Sequence, residues 1–199
     1  LDQTADGYLL NCQLLWESGD RTGALAELDA ALAVFPAGVR LLEMKARWLK
    51  ENGEFSRAKD TLDLLAISQP GRPGPLIQSL YLLPGEADRP RREALLEKIV
   101  ATFGNQEQPM LDLARFGNDT ADVTLTARLA KLALERKFGN RVRFDLVHVE
   151  CLLNAGRARE TILLVDALYK QAERDQWVAE TRMAFDALRT IAYFADGQT

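Results

Sequence analysis

Residues 11–36 read NCQLLWESGDRTGALAELDAALAVFP and residues 45–70 read KARWLKENGEFSRAKDTLDLLAISQP. The two stretches set like residues 34 positions apart: Gly19 and Gly53, Ala24 and Ala58, Leu28 and Leu62, Pro36 and Pro70. A fixed period of this length marks stacked helix hairpins, because one hairpin cannot bury its apolar face alone and must pack on a copy of itself. Within the first copy, Leu9, Leu10, Cys12, Leu14, Leu15 and Trp16 predict a helix that Gly19 ends. Asp20 or Thr22 then caps a second helix over Thr22 to Val34, which buries Ala24, Leu28 and Ala31 and stops at Phe35 and Pro36. The second copy starts near Gly38, runs through Leu42, Ala46 and Leu49 to Gly53, and continues through Ala58, Leu62 and Leu65 to Pro70.

Beyond Pro70 the rhythm breaks. Gly71, Pro73, Gly74 and Pro75 are followed, after one short apolar run, by Pro84 and Gly85. This predicts a short helix from Pro75 to Leu83, then a helix with Pro90 in its first turn that carries Ala94, Leu95, Ile99 and Val100 to Phe103. Gln108 to Phe116 and Thr120 to Phe138 form a fourth pair, with Gly117 and Asn118 as the turn and Leu125, Leu129, Leu132 and Ala133 as the packing stripe. A fifth pair runs from Phe144 to Asn154 and from Glu160 to Gln171, with Gly156 between. A last helix from about Gln176 to Ala195 carries Trp177, Ala184, Leu188, Ile191 and Ala192 on one stripe and Phe185 beside it. No strand alternation is seen, so the expected fold is all-α: one domain over 1–199 with repeats at about 5–37, 38–71, a degenerate 72–104, 105–139 and 142–172, and a helix at 174–195.

At 199 residues, with 47% apolar and 27% charged residues, the chain has enough material for a continuous core. Its 29 acidic and 25 basic residues leave a net charge of -4, which provides no global field toward nucleic acid or anionic lipid. No apolar run approaches the ~18 residues of a membrane span. The first residue is Leu1 and no leader is visible, so the chain reads as mature or as a segment cut from a longer protein. The compartment stays open between cytoplasm and periplasm.

The order of residues in the two copies carries a resemblance. Cys12, Leu15, Gly19, Ala24, Leu28 and Pro36, then Ala46, Leu49, Gly53, Ala58, Leu62 and Pro70, match the small, large, Gly, Ala, large, Pro pattern of the tetratricopeptide repeat (TPR) family. Tyr8 and Leu42 depart from that pattern, standing where the family has Trp, and Asn11 and Lys45 stand where it has Leu. The resemblance implies a right-handed superhelix of antiparallel hairpins, a TPR-like α-solenoid, acting as a noncatalytic scaffold for a protein partner: a peptide, a helix or an enzyme domain. In such arrays the first helices line a concave groove. Mapped onto this chain, the groove positions hold Asp6, Leu9, Gln13, Trp16 and Glu17 in the first repeat, Arg40, Glu43, Arg47, Lys50 and Glu51 in the second, and Arg143, Leu146, Glu150, Leu153 and Asn154 in the fifth. The chaperone-binding members grip a carboxylate with Lys and Asn at places that here hold Leu9 and Gln13, then Glu43 and Arg47, so that clamp is absent. Family habit also suggests a second reading, a periplasmic scaffold in bacterial polysaccharide export that recruits a modifying enzyme or guides polymer.

Catalytic chemistry finds little footing. His148 is the only histidine, so a paired-histidine metal site is excluded, and a triad would need His148 to meet a nucleophile and a carboxylate across the fold. Cys12 and Cys151 form no metal or redox motif and read as small residues that allow close helix approach. The glycine-proline run at 71–75 lacks the lysine and hydroxyl of a phosphate cradle. No cofactor and no metal are expected, and no nucleic acid. Pentatricopeptide RNA readers have a similar period, but they need a basic groove. Besides Arg40, Arg47 and Lys50, two basic clusters stand out, one at Arg89, Arg91 and Arg92 and one at Arg136, Lys137, Arg141 and Arg143.

Overall fold

The computed structural model describes residues 5–175 and 179–197, and every regular element among them is helical. The chain divides into two compact units, Leu1–Ile99 and Val100–Thr199. The first contains α1 (Ala5–Glu17), α2 (Arg21–Val34), α3 (Val39–Glu51), α4 (Phe55–Ser68), α5 (Gly74–Tyr81) and the start of α6 (Arg89–Phe103). The second contains the end of α6, then α7 (Glu107–Asp119), α8 (Val123–Arg136), α9 (Arg141–Asn154), α10 (Ala158–Asp175) and α11 (Ala179–Ala195). Helices α1 and α2, α3 and α4, α7 and α8, and α9 and α10 pair as hairpins. The architecture is an all-α array of TPR-like helix hairpins.

Four hairpin turns share one hydrogen-bonding scheme. In the first, the N–H of Gly19 donates to the Trp16 carbonyl at 3.1 Å and that of Asp20 to Leu15 at 3.0 Å. The same two bonds recur as Gly53 to Lys50 and Glu54 to Leu49, as Ala121 to Asn118 and Asp122 to Gly117, and as Gly156 to Leu153 and Arg157 to Leu152. Each turn satisfies two carbonyls left over at a helix end, and it requires a residue in the left-handed region. Gly19, Gly53 and Gly156 adopt it at φ 89°, 80° and 72°, and Ala121 adopts it at φ 53°.

The fourth-repeat turn therefore lies at Thr120–Asp122 and not at Gly117–Asn118, which are the last turn of α7. Gly117 is buried for a different reason. A Cβ built there would lie 2.9 Å from Thr126 Cγ2 and 3.4 Å from Leu125, so the glycine lets α7 and α8 approach. The turn's aspartates then start the next helices: Asp20 Oδ1 accepts from the Gly23 N–H at 2.8 Å, and Asp122 Oδ1 from the Leu125 N–H at 3.0 Å.

Packing follows the repeat. Cys12, Ala24, Leu28, Ala31, Leu49 and Ala58 have no exposed surface, and Ala46 and Leu62 expose 1%. Burying leucines of this kind contributes about 1.5–3 kcal/mol each. In the second unit, Thr126 and Thr161 replace Ala24 and Ala58 beside the turn. Both are fully buried, with hydroxyls returned to backbone carbonyls one turn back. Along α11 the buried residues are Phe185 and Ala192, with Leu188 packed against the same cluster, whereas Ile191 is 55% exposed. The stripe thus passes through Phe185, and Ile191 sits on the outer face. Gln176 and Trp177 lie outside the described residues. Helix α6 begins at Arg89, which places Pro90 in its first turn as expected, and of the apolar residues expected to pack along it Ile99 and Phe103 are buried while Ala94, Leu95 and Val100 keep exposed surface.

Candidate functional site

In the first unit the period of 34 carries side chains onto one surface. Asp6, Leu9, Leu10 and Gln13 lie at i, i+3, i+4 and i+7 of α1, and Arg40, Glu43, Met44 and Arg47 repeat that set 34 residues later on α3. These eight residues line a cleft of about 410 Å³. One more step of 34 reaches Gly74, Gln78 and Tyr81 on α5. They line a second cleft of about 810 Å³ together with Glu43, Arg47, Lys50, Leu65, Gln69, Arg72, Pro73 and Pro75. Glu43 and Arg47 belong to both clefts, so α1, α3 and α5 present one continuous groove.

Seven of the residues expected from sequence meet in this groove: Asp6, Leu9, Gln13, Arg40, Glu43, Arg47 and Lys50. Trp16 does something else. Its ring stacks on Trp48 with centroids 4.6 Å apart and planes 2° from parallel, and the Arg21 guanidinium lies 5.1 Å from its centre. This packs α1 on α3, and a stacked aromatic pair of this kind adds about 0.5–1.5 kcal/mol beyond its buried area. Sequence reasoning missed Gln69, Arg72, Gln78 and Tyr81, because the proline-rich loop hid the fact that α5 keeps the register of α1 and α3. Extending the period across Pro70 would have located them.

The charges of the groove are graded. Arg40 Nη1 lies 2.7 Å from Asp6 Oδ1, an exposed pair at the α1 end. Glu43 stands one helical turn before Arg47, yet its carboxylate approaches Arg72 at 3.9 Å across the larger cleft. Among the described residues, Arg47 and Lys50 make no ion pair. The larger cleft holds three cations, Arg47, Lys50 and Arg72, against one carboxylate, Glu43. The cluster at Arg89, Arg91 and Arg92 is differently disposed: Arg89 pairs with Glu86 and Glu93, Arg91 with Asp88, and Arg92 donates to the Leu83 carbonyl at 2.7 Å.

The second unit separates the residues expected there. Arg143 and Leu146 line a cleft of about 390 Å³ with Val142, Asn140 and the α11 residues Glu180, Thr181 and Ala184. Glu150 and Asn154 lie farther along α9 in a polar ladder with α7, where the Asn154 amide donates to Asn118 Oδ1 at 2.9 Å and the Asn118 amide reaches Glu150 Oε2 at 3.5 Å. Burial raises the Glu150 carboxyl above its ordinary range. Asp145, one position from Leu146, is raised to about 6 by burial, against a smaller opposing pull from Arg141.

The groups with nucleophilic or acid-base potential are held in packing. His148 Nδ1 lies 2.9 Å from Thr126 Oγ1, and burial, then the charge of Arg157, lowers its pKa. The Cys151 thiol donates to the Gly117 carbonyl at 3.6 Å, and burial raises its pKa. Cys12 is pushed up to about 11 by burial and then by Glu27. Both thiols stay protonated at neutral pH. Among the described residues no group of three or more His, Cys, Asp or Glu side chains could hold a metal, and no helix is long and apolar enough to cross a membrane.

No family model and no curated protein matches the chain. Among solved structures it is similar to a tetratricopeptide repeat protein from Parabacteroides merdae ATCC 43184, at 18% sequence identity and a TM-score of 0.44, over 94% of this chain and 84% of that one. The likeness is too distant to bear on function.

Proposed function

We propose that the chain is a noncatalytic protein-interaction module whose first unit takes a segment of a protein partner along α1, α3 and α5. The observation that carries this reading is the register itself. Three successive first helices place Leu9 and Gln13, Glu43 and Arg47, and Gln78 and Tyr81 side by side in two contiguous clefts. An open groove with a few apolar and arginine contacts suits an extended or helical segment, which gains affinity from a small number of anchors. The hairpins beneath it are tied by their own turn hydrogen bonds, and a surface already ordered lowers the ordering cost of a complex. No observation favours the polysaccharide-export reading.

A peptide-display selection against the intact chain, followed by amide chemical-shift mapping with the selected peptides, tests the proposal. Enriched peptides are expected to perturb the amides of α1, α3 and α5. Perturbations confined to other helices, or no enrichment, would overturn it.

A further inference from the structure

We infer that the segment this groove accepts is acidic at one end, its carboxylates seated in the larger cleft by Arg47 and Lys50 and its apolar end lying against Leu9, Leu10 and Met44. The inference rests on the groove reading above and adds the chemistry of the occupant. The chain as a whole is acidic, with a net charge of -4, yet the cleft between α3, α4 and α5 gathers three cations around one carboxylate.

The placement of Glu43 sharpens the point. A glutamate one turn before an arginine on a helix is in the favourable order for an ion pair. Here Glu43 serves Arg72 instead, leaving Arg47 and Lys50 as two like charges one turn apart on the same helix. Neighbouring cations repel, so this arrangement is improved by an anion between them. Lys50 is half-buried at the cleft wall, where screening by solvent is reduced. The smaller cleft has the opposite character, with Asp6 and Glu43 balancing Arg40 and Arg47 around buried Leu9 and Met44 and exposed Leu10. Charge therefore increases from the α1 end to the α5 end, which gives the groove a direction. An arginine guanidinium and a lysine ammonium together suit clustered aspartate or glutamate side chains.

The test uses a short fluorescein-labelled peptide with consecutive glutamates at one end and leucines at the other, titrated into the intact chain by fluorescence anisotropy. Replacing the glutamates by glutamine is expected to weaken binding about tenfold at low salt, and Arg47→Gln with Lys50→Gln to do the same. Combining peptide and protein changes should add little further, because both remove one interaction. A spin label on the acidic end should broaden the amides of Gln78 and Tyr81 before those of Tyr8 and Leu9. Far-UV circular dichroism of the double variant should match the parent, since both side chains lie on the helix surface. If the glutamine peptide binds α1, α3 and α5 as tightly as the glutamate peptide, the acidic occupant is wrong while the groove stands. If neither peptide perturbs those helices, the groove itself is wrong. A single-stranded RNA oligonucleotide that displaced the acidic peptide at equal concentration would also overturn the inference, by showing that the cations serve phosphates.

Discussion

Replacing Ala121 by glycine should make the protein more stable, although it removes atoms. Ala121 holds the left-handed corner of the α7–α8 turn at φ 53°, a position that three sister turns give to Gly19, Gly53 and Gly156. That backbone costs an L-residue roughly 1–2 kcal/mol, and the extra freedom of glycine in the unfolded chain takes back about 0.4–1 kcal/mol. The alanine methyl is exposed and contributes little packing. Ala121→Gly is therefore expected to gain roughly 0.5–1 kcal/mol. The mirror experiment is Gly156→Ala, where an added Cβ meets nothing within 4 Å, so its cost is that of the backbone alone and of like size. Urea unfolding followed by far-UV circular dichroism reads both: the midpoint should rise by about 0.2–0.4 M for Ala121→Gly and fall similarly for Gly156→Ala, with the slope unchanged. If the Ala121→Gly midpoint fell or stayed put while Gly156→Ala behaved as stated, the equivalence of the four turns would be refuted.

Gly117→Ala should destabilise by roughly 1–3 kcal/mol, since its Cβ would lie 2.9 Å from Thr126 Cγ2; adding Thr126→Ser, which removes that methyl and keeps the hydroxyl facing His148, should restore part of the loss in the same urea assay. Asp145→Asn should leave stability unchanged at pH below about 4 and raise it at neutral pH. The native carboxyl titrates near 6 against an ordinary 3.8, so the folded state binds more protons in that window and the parent loses stability as pH rises through it, by up to about 3 kcal/mol; thermal melts at both ends of the window check the sign, and a variant no more stable than the parent at neutral pH would refute it. Leu49→Ala, at a position with no exposed surface, should cost about 2–5 kcal/mol in denaturant unfolding.

What was legible in the sequence was whatever repeats with a distinctive residue. Glycine at 19, 53 and 156 and the small residues at 12, 24, 46 and 58 mark turns and close contacts because few other residues tolerate those places. Ala121 was illegible for the same reason, since an alanine carries no sign of a left-handed backbone. Gly117 misled because a glycine needed for helix approach looks identical to one needed for a turn; only the hydrogen bond from Asp122 N–H to its carbonyl, at 2.7 Å, reveals it as the last turn of α7. The groove was half legible. Spacing placed Leu9, Gln13, Arg40, Glu43, Arg47 and Lys50 on one face, but it also placed Trp16 there, and spacing says nothing of a ring that turns aside to stack on Trp48. Tyr81 and Gln78 were hidden by the prolines on either side of α5, which shorten the helix without shifting its register.

The spacing of the interhelical bonds carries a kinetic consequence. Asp6 meets Arg40 across 34 residues, Asn118 meets Glu150 across 32, and Arg159 meets Asp196 across 37. Such contacts close loops of moderate and nearly constant length, and each turn is fixed by bonds within six residues of chain, so the entropy of ordering is recovered hairpin by hairpin. A chain built this way can complete its first two hairpins while later residues are still being synthesised. The groove along α1 and α3 would then form before the hairpins that follow it in the chain.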